Sequence, residues 1–478
     1  MQGTISLVGV LLCVLAFGND VTCRTYTVYE TALNIEDDGF PAETHHVTTE
    51  DGYILEMHRI PYGRRIKSDS SDRPVVFLMH GLLGASNSYI IIGPDHSVAY
   101  NLADAGFDVW MGNARGTKNS RYHVTLDPDD DREKFDFFDF TWEEIGMYDV
   151  AAMIDYVLEY TGREKLHYIG HSQGGTAFLV LTSMRPDYNE KLVSAHLLAG
   201  VGHMEFFPDQ ELASLASMTD MIYTAARLLG IVELFPGNST ELIPGISLDD
   251  LGIGGSQPVH RMADYCTGDL KTQYMCELVG MRQILRDDNG DGILDNLLGD
   301  YSPGGAALKQ VAHYGQNIRD KQFRRYNRGL FSNLATYGSA SPPAYDLSLI
   351  TAKVTMHYSL NDTMLDERDV LSMAEIMPNT VVRKVARESF THEDFVAAMD
   401  TKELVIDYVI EAIKIESGWT GPTVVDVEPA SPSTDYPVIT NNPENIIGAP
   451  VIQPVPGSAS RVLSGVLLLT SSLLILLT

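Results

Sequence analysis

Residues 166–175 read Leu166-His167-Tyr168-Ile169-Gly170-His171-Ser172-Gln173-Gly174-Gly175, and a helix-like run from Thr176 to Met184 follows without a gap. A short apolar run, a Gly-x-Ser-x-Gly pentapeptide and a helical segment are thus contiguous. The pentapeptide carries meaning only in that setting. A strand that turns at once into a helix bends so sharply that the flanking positions tolerate almost no side chain, hence a glycine on either side of the serine. The turn lifts the hydroxyl out at the carboxyl end of a parallel strand, and the following helix offers its N-terminus to developing negative charge. Gly170 and Gly174 therefore read as the glycines of a nucleophile elbow, with Ser172 as its nucleophile.

The segments around the elbow supply the sheet that it needs. Tyr53-Ile54-Leu55-Glu56-Met57 alternates as a strand, while Pro74 to Met79 and Phe107 to Met111 are continuous apolar runs of the kind buried on both faces. Val150, Met153, Ile154, Val157 and Leu158 form a helical stripe that Gly162 ends. The alternation breaks from about Ala199 to Tyr345, where Met218, Met221, Ile222, Ala225, Leu228 and Leu229 suggest an amphipathic helix. That stripe either packs a cap or lines an apolar site. The sheet resumes at Lys353 to Leu360, with a helix near Arg368 to Met377, a strand at Val381 to Ala386 and a final helix from about Asp394 to Ile415. The expected class is α/β: an α/β-hydrolase core at 26–198 and 346–416, a mostly parallel sheet flanked by helices, with a large, mainly helical cap inserted at 199–345.

The 478 residues fit one large α/β domain with an insertion. Lys and Arg number 34 against 64 Asp and Glu, a net charge of −30 that leaves no basic footprint for a nucleic-acid partner. Ile5 to Phe17 is apolar and closes on Ala16-Phe17-Gly18, so 1–18 reads as a secretory signal peptide. Residues 419–461, rich in Pro, Ser and Thr, read as an extended stalk. Val462 to Thr478 is wholly apolar or small; as a helix it would reach roughly 25 Å, short of the ~30 Å hydrocarbon core. A GPI-attachment signal suits such a tail better than a spanning anchor. The expected location is the secretory pathway and then the cell exterior or surface. In that context Cys266 and Cys276 are permitted a disulfide. Asn238-Ser239-Thr240 is a glycosylation sequon, whereas Asn361-Asp362-Thr363, formally another, is expected to stay unused.

A serine hydroxyl is a poor nucleophile without a general base, and the base needs an orienting carboxylate. On this fold they follow in the order Ser, acid, His at the ends of late strands. Asp362, just past the strand ending at Leu360, is the candidate acid; Asp366 and Asp369 are rivals nearer the next helix. Beyond residue 300 only His313, His357 and His392 occur, and His392 alone lies between the last strand and the last helix. Oxyanion donors are expected from the backbone amides of Gln173, after the serine, and Leu82, in the loop His80-Gly81-Leu82-Leu83-Gly84. No cofactor is expected. Asp287, Asn289, Asp291 and Asp295 mimic the start of a calcium loop, but Leu298 stands where a bidentate Glu belongs, and a solvated acidic turn is the plainer reading.

Taken in order, several of these motifs resemble the acid lipases of the gastric and lysosomal type and their insect digestive relatives. They are Thr49-Glu50-Asp51-Gly52-Tyr53-Ile54-Leu55, Ile60-Pro61-Tyr62-Gly63, His80-Gly81-Leu82-Leu83, Ala103 to Trp110, Gly112-Asn113-Ala114-Arg115-Gly116, Gly170 to Gly174 and Pro342-Pro343-Ala344-Tyr345-Asp346-Leu347. The resemblance spans Gly39 to Ile415. It implies Ser172 as nucleophile, Asp362 as acid, His392 as base, Leu82 and Gln173 as oxyanion donors, and Cys266–Cys276 as a cap disulfide. It also implies hydrolysis of carboxylic esters of neutral lipids, triacylglycerols or sterol esters, through an acyl-enzyme at a lipid or membrane surface. A carboxylesterase for soluble esters and a catalytically silent surface or adhesion protein are the alternatives. Oligomeric state is left open. Two departures stand out: Glu393 follows His392 where the family has leucine, and Gly175 stands where it has threonine.

Overall fold

The continuous apolar runs become the centre of a sheet. In the computed structural model, which describes residues 31–64, 72–235 and 304–421, strands Val75–Met79 (β3), Asp108–Gly112 (β4) and Leu166–His171 (β6) are buried along their whole length. Burial on both faces is why these strands show no polar alternation. The other strands of this sheet are Glu43–Thr48 (β1), Tyr53–Ile60 (β2), Tyr122–His123 (β5), Leu192–Leu198 (β7), Val354–Tyr358 (β10) and Thr380–Lys384 (β11), while Glu233–Leu234 (β8) and Ala306–Ala307 (β9) form a separate pair. The order in the large sheet is β1-β2-β4-β3-β6-β7-β10-β11, with β5 beside β2. Every pairing from β4 to β11 is parallel, and β2 is antiparallel to its neighbours. The expected mostly parallel sheet flanked by helices is the one observed. Among the described residues no helix is long and apolar enough to cross a membrane.

The expected signal segment, Asn238, Cys266, Cys276, the acidic run Asp287–Asp295, nearly all of the expected stalk and the expected tail signal lie outside the described residues. Trp419, placed in the stalk by composition, instead packs against the core.

One helical expectation needs correction and one alternative is decided. The final helix is interrupted: Asp394–Ala397 is one turn, Ala398 is extended at ψ 143°, and helix resumes through Lys402–Ile406 into Asp407–Ser417. Asp394 causes the break. Its carboxylate accepts the Thr391 amide and pairs with Arg387, and its carbonyl accepts the Thr401 hydroxyl. The amphipathic stripe does form a helix, Thr219–Leu228 (α1), but it is not core, since Met221, Ile222, Leu228 and Leu229 are exposed. The helix instead meets Leu308–Asp320 (α2) through Thr219 against Gly315, where the neighbour has no side chain in the way.

One buried ion cluster ties the amino-terminal half together. Arg115 donates through Nε to Asp149 at 2.7 Å and through both terminal nitrogens to Asp51 at 2.6 and 2.9 Å, and its guanidinium lies 4.0 Å from the Tyr53 ring centroid. Removing one member of such a cluster strands the other charge in a dry interior. Arg115→Met is expected to lower stability by about 3–5 kcal/mol, read as a fall in thermal midpoint; a midpoint within a degree of the parent would contradict it.

Candidate active site

The elbow is where the strand-to-helix turn was expected. Leu166–His171 runs straight into helix Gln173–Met184, with Ser172 between them at φ 49°, ψ −113°. A side chain in that backbone region costs on the order of 1–3 kcal/mol and persists only where the surroundings enforce it. Here the Ser172 amide donates to the Leu198 carbonyl at 2.9 Å, and its own carbonyl accepts the Gly175 and Thr176 amides at 2.9 and 3.2 Å. The glycines are steric necessities. A Cβ on Gly174 would lie 2.0 Å from the Met79 carbonyl oxygen, and one on Gly175 would lie 2.5 Å from Gly200 Cα. Glycine at 175 thus goes with a close backbone approach to a second glycine.

Because β3 pairs in parallel with β6, with Met79 opposite Gly170, the loop after β3 arrives beside the serine. A Cβ on Gly81 would sit 3.1 Å from Ser172 Cβ. His80 shapes this loop from inside. Its Nδ1–H donates to the Gly81 carbonyl at 2.7 Å, and its Nε2 accepts the Ala114 amide at 3.1 Å. Burial pushes the imidazole down to about 4, so it stays neutral. Leu83 takes the left-handed conformation, φ 62°. The amides of Leu82 and Gln173 donate to no protein acceptor among the described residues.

The structure brings His392 and Asp362 to the serine. His392 Nε2 is 2.8 Å from Ser172 Oγ, and its Nδ1 is 2.8 Å from Asp362 Oδ2. The other Asp362 oxygen accepts the amides of Met364 and Leu365 at 2.7 and 2.9 Å. Burial disfavours the imidazolium of His392, but the charge and hydrogen bond of Asp362, followed by the charge of Glu393, outweigh it and raise its pKa. Glu393 is itself pushed up to about 7, chiefly by burial.

The rivals are engaged elsewhere. Asp366 caps helix Glu367–Ile376 through the Arg368 amide, and Asp369 accepts the amides of Glu205 and Phe206. His313 stacks on Trp142 with ring centroids 3.7 Å apart, and His357 meets His196 at 3.1 Å.

Two residues at the site escaped the sequence reading. His171 donates from Nε2 to the His392 carbonyl at 3.0 Å, and burial holds its pKa near 3, so it fixes the backbone of the histidine as a neutral donor. Its signal was an imidazole directly before the serine. Gln310 accepts from Gln173 Nε2 at 2.7 Å; it lies within the stretch expected as the cap, 199–345, and no local pattern marks it. Among the described residues no group of three His, Cys, Asp or Glu is placed to hold a metal.

A family model described as a partial alpha/beta-hydrolase lipase region matches residues 31–93, and one described as the alpha/beta hydrolase fold matches residues 74–226. Lipase 3 of Drosophila melanogaster is 38% identical over 381 residues, covering 80% of this chain and 91% of that protein. Lipase lipl-1 of Caenorhabditis elegans is 32% identical, covering 78% and 89%. Gastric triacylglycerol lipase of Mus musculus is 29% identical, covering 78% and 88%.

Proposed function

We propose, since the chain belongs to the acid lipase family of the α/β-hydrolase fold, that it hydrolyses carboxylic esters of neutral lipids, triacylglycerols foremost, with Ser172, His392 and Asp362 as its catalytic residues. Ser172 Oγ attacks the ester carbonyl while His392 Nε2 takes its proton, and Asp362 holds Nδ1–H and stabilises the imidazolium. The oxyanion faces the unused amides of Leu82 and Gln173. His392 returns the proton to the leaving alcohol, then activates the water that frees the acid. The observation that carries this reading is the unbroken chain from Ser172 Oγ through His392 to Asp362, 2.8 Å at each step. The name of the gastric relative supports triacylglycerol over other esters.

Rate against triacylglycerol concentration across the solubility limit tests the substrate. A rise on emulsified ester is expected, and a plateau reached on dissolved ester alone would favour a carboxylesterase. Labelling by a fluorophosphonate, lost in Ser172→Ala, tests the nucleophile; an unlabelled wild type would favour a silent surface protein. The apolar segments at 5–17 and 462–478 support secretion and a glycolipid tether, which release by a phosphatidylinositol-specific phospholipase C would test. Equilibrium dialysis with labelled calcium tests Asp287 to Asp295, and no binding at millimolar calcium removes that site.

Glu393 gives a pH prediction. Its negative charge raises the pKa of His392, and the base works only when neutral. Glu393→Leu is therefore expected to move the acid limb of kcat/KM to lower pH. The shift is muted below about pH 7, where Glu393 takes up its own proton. An unmoved limb would remove Glu393 from the account.

A further inference from the structure

Both sides of the oxyanion site are fastened to one short segment, Gly304 to Gln310. The Gly304 amide donates to the Leu83 carbonyl at 2.6 Å, and the Gly304 carbonyl accepts the Lys118 amide at 2.7 Å. The fit is tight, since a Cβ on Gly304 would lie 2.2 Å from the Gly84 carbonyl oxygen. Six residues on, Gln310 Oε1 accepts from Gln173 Nε2 at 2.7 Å. The Gln173 carboxamide is buried and its oxygen has no partner among the described residues, so among them the bond to Gln310 orients it. The segment between is itself anchored: Ala306–Ala307 (β9) pairs antiparallel with Glu233–Leu234 (β8), and Arg121 clamps the Glu233 carboxylate at 2.9 and 3.0 Å.

We propose that Gln310 and Gly304 are positioning residues for the oxyanion site, setting the spacing of the Gln173 and Leu82 amides from outside both loops. Preorganised donors stabilise an oxyanion only when their separation is held before the charge forms. The Leu82 side needs such holding, because Leu83 is kept left-handed and would relax if its carbonyl were released. The proposal rests on the serine-hydrolase reading above.

Gln310→Met keeps the length and deletes the acceptor; Gln173→Met breaks the same bond from the elbow and serves if the first variant does not fold. The readouts are kcat and KM on a soluble short-chain p-nitrophenyl ester, and affinity for a trifluoromethyl ketone. The serine Oγ adds to the ketone carbonyl carbon, the serine's own hydroxyl proton passes to the histidine, and the former carbonyl oxygen becomes an oxyanion in the site. Each variant is expected to lose kcat on the order of 10-fold with KM little changed, and to lose ketone affinity by the same factor. The double variant should match a single one, because one shared bond is lost. Unchanged kcat in both, a kcat loss without the ketone loss, or multiplying effects would each overturn the proposal. A wild type that neither binds the ketone nor labels with fluorophosphonate would instead overturn the serine-hydrolase reading.

Discussion

Asp362→Asn is expected to lower kcat by on the order of 10⁴ while leaving the fold intact. The direction follows from what surrounds the carboxylate. One oxygen accepts two backbone amides, from Met364 and Leu365, and the other faces His392 Nδ1. An asparagine must keep its single oxygen on the two amides, because they can only donate. Its NH₂ then faces His392 Nδ1 and forces that nitrogen to accept. The ring proton moves to Nε2, where it points at Ser172 Oγ and cannot remove a proton from it. KM should change little, and fluorophosphonate labelling should slow in parallel with kcat. Asp366→Asn is the contrast. Asp366 caps a helix and pairs with the exposed Arg368, so its loss touches stability by about 1 kcal/mol and turnover within a few-fold. A tenth or more of the rate surviving in Asp362→Asn, or equal loss in Asp366→Asn, would reject Asp362 as the orienting acid.

The readable parts of this protein were those with a short-range physical cause. The elbow glycines announce themselves because steric exclusion acts over five residues, and β3, β4 and β6 because burial on both faces removes all alternation. Asp362 stands first by its place just past the strand ending at Leu360, yet position alone leaves Asp366 and Asp369 as rivals. All three lie in one loop-to-helix passage, and which of them turns towards a histidine thirty residues on is decided by tertiary packing. The same limit hid Gln310, whose partner is 137 residues away, and the break at Ala398, which depends on Arg387 and Thr401 reaching Asp394. The exposed stripe of α1 shows the same limit from the other side: amphipathic spacing implies a helix with an apolar face, not what covers it.

Buried histidines lead to the second large expectation, a steep loss of stability in mild acid. Burial holds His80 and His167 at about 4, and His171, His196 and His313 at about 3. Geometry agrees where it is most explicit, since His80 Nε2 accepts the Ala114 amide and cannot do so once protonated. Each of these folded-state values lies below the unfolded value of about 6.5. Between the two the unfolded chain binds the proton and the folded chain does not, so stability falls as pH falls through that window. The loss is about 2 kcal/mol for each such imidazole by pH 5. Asp149, pushed up by burial to about 6, and Glu393, at about 7, work the other way. They take up protons in the folded state and offset about 3 kcal/mol, and the raised His392 adds to that side. A net loss of several kcal/mol between pH 7 and pH 5 remains, a large share of the ~5–15 kcal/mol that holds a domain together. The urea midpoint should therefore drop sharply over that interval, and a midpoint that is flat or rising would reject the expectation. His313→Phe sharpens the test, because a phenyl ring keeps the stack on Trp142 but cannot titrate. The variant should be less stable than the parent at pH 7, where it lacks the bond to the Arg324 carbonyl, and the gap should close as the pH falls.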